Sequence, residues 1–196
     1  MLDNFIYFLL KKCGVNEKGY AQIKNTIITL NVKKGDNLLK PGDICNRTFF
    51  VEKGLLRTYA LNEEGHINII QFATEGWIAA DRSSFFFKLP ATYYIDAIED
   101  TTIIIIDNNL LNLISETTPS FSKNNQKLIQ NHVRQLNARI TSLLGDSAES
   151  RYLKFIKRYP DVLLRVPQWM VASYLGITPE SLSRVRKTLS TKNFKN

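Results

Sequence analysis

PQWMVASYLGITPESLSRVRK, residues 167–187, decides how the C-terminal part of this chain folds. Val171, Leu175, Ile177, Leu182 and Val185 supply buried contacts between two short helices, and Ala172 is small where those helices cross. Gly176 permits the positive φ that the turn between them demands and that most residues resist. Pro167 suits the first position of the leading helix, where its missing amide proton is not needed. Thr178 can cap the second helix, Pro179 fits its first position, and Glu180 favours its electropositive end. These features predict a helix-turn-helix whose second helix covers 178–190. Glu180, Ser183, Arg184 and Lys187 recur at threes and fours along its outward face. A glutamate can accept from cytosine N4, an arginine can grip guanine O6 and N7, and basic side chains can meet phosphates. Thr178, Ser181 and Gln168, at the starts of the two helices, complete the expected contact set on double-stranded DNA. The competing reading is a plain helical hairpin with a charged exterior.

Charge by itself fits a solvated basic surface as well as a DNA contact, and it favours DNA when taken together with the glycine-anchored spacing. The chain carries a net charge of +8, with 26 Lys and Arg against 18 Asp and Glu. Residues 1–119 hold 12 basic and 14 acidic side chains, whereas residues 120–196 hold 14 basic and 4 acidic ones. A strongly basic C-terminal part behind a mildly acidic N-terminal one is the electrostatic footprint of polyanion binding.

Upstream, Thr26 to Ile106 is rich in β-branched and aromatic residues, with glycines at 35, 42, 54, 65 and 76. That rhythm predicts antiparallel strands over 27–32, 49–61, 67–72, 93–97 and 102–106. After Asp107 the period changes. Phe121, Leu128, His132, Leu136, Ile140 and Leu143 mark a stripe on one helix of about 25 residues, roughly 37 Å long, from Pro119 to Gly145. So long a helix needs a partner surface, either the β-domain or its twin in a homodimer, and the six stripe residues are the expected dimer interface. Residues 148–158 read as a further helix, and Val162–Val166 as a small strand. The apolar run Phe5 to Leu10 has no preceding Lys or Arg, so it reads as an amphipathic packing helix rather than a signal peptide. No run is long enough to span a membrane. Two cysteines, Cys13 and Cys45, are too few for a disulfide framework and fit a cytoplasmic setting.

The whole chain resembles a Crp/Fnr-type regulator. Leu175 to Arg184, with its Glu-x-x-Ser-Arg core, is close to that family's signature, and Leu39–Asp43, Phe50–Tyr59 and Gly65–Gly76 follow its strand and glycine rhythm. The resemblance implies an α+β protein: an N-terminal antiparallel β jelly roll, or double-stranded β-helix, over 1–118, a long dimerisation helix over 119–145, and a C-terminal winged helix-turn-helix over 146–196. It also implies that Glu180, Ser183 and Arg184 read bases, and makes RNA polymerase a candidate partner.

Two departures matter. Cyclic-nucleotide-binding members of the family carry a glycine-glutamate pair and an arginine on the cyclic phosphate. By the resemblance, Trp77 takes the glutamate position and Ala91 the arginine position, and a buried phosphate diester without its arginine lacks a charge-assisted partner. No cyclic AMP binding and no cofactor are expected, and Arg82 is expected to be solvated or paired. A pocket for an unidentified small-molecule effector would be lined by Gly76, Trp77, Ile78, Asp81, Arg82, Ser83, Thr92 and Tyr93. The oxygen-sensing members' cysteine cluster is absent, and haem would need His66 or His132 as a ligand. The second departure is at the end of the chain, where residues 190–196 are short for a wing hairpin and are expected on the DNA backbone or disordered. Two rivals remain. A cupin-type metalloenzyme would need clustered histidines, which two distant ones cannot supply. A sensory nucleotide-binding-like module regulating a protein partner would use the C-terminal helices as a docking surface.

Overall fold

A computed structural model describes residues 2–193, with the side chains of the last two left out. The N-terminal run forms helix α1 (Asp3–Tyr7), which continues as π-helix through Phe8–Cys13, and helix α2 (Glu17–Ile23) follows. Eight strands come next: β1 (Ile28–Val32), β2 (Asn37–Leu39), β3 (Arg47–Lys53), β4 (Leu56–Leu61), β5 (Ile67–Ala73), β6 (Ile78–Ala79), β7 (Tyr94–Ala97) and β8 (Thr101–Asp107), with helix α3 (Arg82–Phe87) between β6 and β7. They form two four-stranded sheets of order β1-β8-β3-β6 and β2-β7-β4-β5. The pairings are antiparallel, with Ile28 opposite Ile105, Phe50 opposite Ile104 and Tyr59 opposite Tyr94.

The alternation of strand side chains builds two cores at once. Phe49 and Val51 of β3, with Ile103 and Ile105 of β8, point into the core shared with Leu39, Leu56, Ala79 and Ile95. Phe50, Ile104 and Ile106 point the other way, onto Phe5, Leu9 and Ile23 of the N-terminal helices. Those helices are docked by Glu52, whose carboxylate accepts from the backbone amides of Asn4 (3.0 Å) and Phe5 (2.8 Å) and so supplies α1 with the N-terminal partner its own residues lack. The expected single strand over 49–61 is two strands, because Gly54 turns the chain at φ +106 with the Thr101 side chain where a Cβ would stand.

Helices α4 (Asn108–Thr117) and α5 (Phe121–Gly145) follow, then α6 (Ala148–Arg158), α7 (Val162–Arg165), α8 (Gln168–Leu175) and α9 (Pro179–Asn193). The expected strand at 162–166 is instead the helical turn α7. Val162 and Val166 are buried while Leu164 is 90% exposed, a spacing of four rather than two, and the Val166 amide closes onto the Val162 carbonyl at 3.1 Å. Among the described residues no strand follows α9, so no wing hairpin is seen there, and the basic tail at 194–196 lies outside them. The chain falls into two compact units: residues up to Ala60 with Ile70–His132, and Leu61–Ile69 with the chain from Val133 onward. Among the described residues no helix is long and apolar enough to cross a membrane.

Candidate nucleic-acid interface

Helix α8 ends at Gly176, whose φ of +64 lets its amide reach back to the Ala172 and Ser173 carbonyls, and the Ile177 amide also closes on Ala172 at 3.1 Å. The chain thereby reverses within three residues and launches α9. Leu182, 1% exposed, anchors α9 together with the half-buried Val185 and Leu189, while Val171, Ala172 and Leu175 bury the facing side of α8. With the inner face so fixed, the 3.6-residue period turns Glu180, Ser183, Arg184 and Lys187 outward, and all four are exposed. The Thr178 hydroxyl caps the helix, accepting from the Ser181 amide at 3.2 Å and lying 3.2 Å from the Ser181 hydroxyl. Those two expected contact residues therefore shape the helix start before they meet any ligand. Hydrogen bonds from its own backbone amide and from the Thr178 hydroxyl, with a smaller effect of Arg184, hold the Glu180 carboxyl below its usual range. It is an acceptor at neutral pH. Gln168 is exposed at the first turn of α8, with Pro167 in the capping position just before it.

The stripe on α5 divides. Phe121, expected at a dimer interface, is 5% exposed and belongs to the core around Phe50, so its own chain already covers it. Leu128 and His132 are half-buried. Val133, Leu136, Ile140 and Leu143 are exposed at spacings of three, four and three, and Leu144 beside them is 84% exposed. At the end of α5 the Asp146 carboxylate accepts from Lys154 Nζ at 2.6 Å and from the Ser142 hydroxyl, and these two bonds hold it below the ordinary aspartate range. Ser147 then caps α6 by accepting from the Ser150 amide at 3.1 Å.

The loop expected to hold an effector is organised around Asp81. This carboxylate, 1% exposed, accepts from the amides of Ser84 (3.0 Å) and Thr92 (2.9 Å) and from the Thr92 hydroxyl (3.3 Å). Arg82 has its guanidinium 5.2 Å from the centre of the Phe86 ring. Gly76 and Trp77 pair with Val51 through their backbones, each at 2.9 Å, and Trp77 packs on the core to which Ala91 also belongs. Ile78 and Tyr93 are half-buried, and Ser83 and Thr92 exposed. His66 is an exposed partner of Glu64 at 3.1 Å, and among the described residues no cluster of His, Cys, Asp and Glu could hold a metal. Burial pushes the Cys13 thiol up to about 12 and raises that of Cys45, so neither is a thiolate at neutral pH.

Sequence reasoning missed Arg139, Ser173 and Arg151, which hold α8 by its backbone. Ser173 Oγ donates to the Ile67 carbonyl at 2.7 Å, Arg139 donates to the Tyr174 carbonyl at 3.0 Å, and Arg151 to the Leu175 carbonyl at 2.7 Å. Only the arginines carried a sequence signal, being charged residues on the inner side of their helices.

Two four-stranded antiparallel sheets, a long helix with an exposed apolar series at Val133, Leu136, Ile140 and Leu143, and a capped helix-turn-helix define an α+β architecture. The comparisons with known proteins agree. Residues 29–117 match the cyclic nucleotide-binding domain. The anaerobic regulatory protein of Pasteurella multocida is 25% identical over 183 residues, covering 87% of this chain and 66% of that protein. The fumarate and nitrate reduction regulatory protein of Yersinia pestis is 24% identical over 184 residues, covering 87% of this chain and 72% of that one. The chain thus spans about two thirds of the length of such relatives. FixK2 of Bradyrhizobium japonicum superposes with a TM-score of 0.71 at 20% identity, covering 85% of this chain and 86% of that one, and CooA of Carboxydothermus hydrogenoformans with 0.70 at 23%, covering 94% and 84%. Over most of its length the chain is similar to regulators of the Crp/Fnr type, and residues 29–117 carry the match to their β-domain.

Proposed function

We propose that this chain is a DNA-binding transcription regulator that acts as a homodimer on a two-fold-symmetric site. The observation that carries the reading is the outward face of α9, where an ionised Glu180, Ser183, Arg184 and Lys187 stand exposed on a helix whose opposite face is locked by Leu182. Glu180 accepts from a base amine, Arg184 forks onto guanine, Ser183 adjusts to either, and Lys187 meets phosphate. Gln168 adds a contact from α8. The exposed series Val133, Leu136, Ile140 and Leu143 supports pairing of α5 with its twin, which would set two reading helices into successive major grooves about 34 Å apart. RNA polymerase is the natural second partner, the setting is cytoplasmic, and no catalysis is ascribed to the chain.

The β-domain is not a cyclic AMP receptor in this reading. Ala91 sits buried in the apolar core, so that position offers no cation to a phosphate, the guanidinium of Arg82 lies by the Phe86 ring, and Asp81 is occupied by its own loop. A different effector would enter through the loop from Gly76 to Tyr93 and bias the segment after Gly145. Titration of wild-type and Arg184→Ala protein against DNA selected from a random pool tests the function. Sequence-specific binding that Arg184→Ala weakens supports it, and no binding at low salt overturns it.

A further inference from the structure

The second unit contains a clamp that no base contact explains. Its members are α5 from Val133, α6, α8, α9 and the segment Leu61–Ile69. Strand β5 lies at the edge of its sheet, where among the described residues only β4 stands beside it as a strand. Ser173, on the outer side of α8, meets two backbone groups of β5 with one hydroxyl, donating to the Ile67 carbonyl at 2.7 Å and accepting from the Ile69 amide at 3.0 Å. Those are the two groups that a neighbouring parallel strand would engage. Arg139 takes the next carbonyl along. Its Nη2 donates both to Ile69 O at 3.1 Å and to Tyr174 O at 3.0 Å, and its guanidinium lies 3.7 Å from the centre of the Tyr174 ring.

The placement of this arginine along the chain matters as much as its bonds. Tyr174 and Leu175 are the last two residues of α8, where carbonyls have no helical partner and a cation is favoured. Arg139 takes the first of them and Arg151 the second, at 2.7 Å. Immediately beyond lies Gly176, the turn from which α9 takes its direction. Arg139 also precedes Ile140 on α5, in the middle of the exposed apolar series. One guanidinium therefore ties the helix that would pair with its twin to the turn that aims the reading helix.

We propose that Arg139 is a positioning residue for DNA recognition: it fixes the angle between α5 and the reading head, and so sets the distance between half-sites that the dimer accepts. It touches no base. This rests on the homodimer reading above. Lysine cannot replace it, because its single ammonium nitrogen cannot reach both carbonyls while a planar group lies on the Tyr174 ring.

The test measures binding to selected DNA in which the spacer between half-sites is lengthened or shortened one base pair at a time, and to a single half-site, together with the melting temperature. Wild type is expected to show a sharp spacer optimum. Arg139→Gln and Arg139→Lys should both lose about tenfold at that optimum, the scale of one charge-assisted hydrogen bond, and accept neighbouring spacers almost equally, while single half-site binding stays within about twofold. Ser173→Ala, which leaves the α8 core intact, should broaden the profile in the same direction by less. The proposal is overturned if the optimum is as sharp in Arg139→Gln as in wild type, if half-site binding falls in step with it, or if Arg139→Lys restores the wild-type profile. A wild type indifferent to spacing would overturn the homodimer reading, and this proposal with it.

Discussion

The α9 face and the loop from Gly76 to Tyr93 each place an acidic residue at the start of a helix with an arginine close by, and the two pairs do opposite things. Glu180 lies in the first turn of α9, fully exposed, its carboxyl held ionised by local hydrogen bonds. Asp81 caps α3 from a buried position, and its oxygens are consumed by Ser84 and Thr92. Arg184 stands in solvent, whereas Arg82 lies along Phe86. A polar group that its own chain has satisfied holds a loop together. One that is presented to solvent on a fixed helix, with acceptor positions left beyond its local hydrogen bonds, is available to a ligand.

Substitution should separate the two regions, with the largest effect in the loop. Asp81→Ala removes the N-cap that the buried Ser84 amide bonds to, together with both bonds to Thr92, and should cost about 3 kcal/mol of stability. Denaturant unfolding measures it, and affinity for DNA per folded molecule should not change. Arg184→Ala should do the reverse, losing about 1–3 kcal/mol of specific binding while the unfolding midpoint stays put. Gly176→Ala places a Cβ at φ +64, 3.4 Å from Leu143 and 3.5 Å from Arg151, and should cost about 1 kcal/mol of stability. A stabilised Gly176→Ala protein would mean that the turn is not built as described.

Smaller effects sharpen the same contrast. Because Lys154 and Ser142 depress the Asp146 carboxyl in the folded state, its contribution is fully present above the ordinary aspartate range and is lost as pH falls through the lowered folded value. An NMR titration of that carboxyl carbon should give a midpoint below that of an unfolded-chain aspartate, and Lys154→Ala should move it upward. A midpoint at or above the unfolded value would contradict the bond. The smallest effect is expected for cyclic AMP, which should leave the melting temperature where it is, since a ligand that binds only the folded state would raise it.

Much of this was legible in residue patterns. The turn at Gly176, the cap at Thr178 and the outward face of α9 depend on neighbours within a few positions, and the sequence reading and the structure agree there residue by residue. The strand pattern was legible except where Gly54 splits one strand into two and where β2 and β6, of three and two residues, are too short to show a period. The failures share a cause. Val162–Val166 looks like a strand by composition, but local hydrogen bonding closes it into a turn of helix. Phe121 fits the α5 stripe by spacing, yet long-range packing against Phe50 and its neighbours claims it. Ser173 and Arg139 act through contacts with residues 104 and 70 positions away, and Asp81 through its burial, none of which a local pattern carries.

The most direct test of the central claim is selection of bound sequences from a random double-stranded DNA pool by the wild-type protein and by Arg184→Ala. Wild type should enrich a two-fold-symmetric sequence with half-sites one helical turn apart, about 34 Å, and Arg184→Ala should lose its preference at one guanine position in each half-site. Enrichment of no sequence at low salt, or of the same sequence by both proteins, would contradict it.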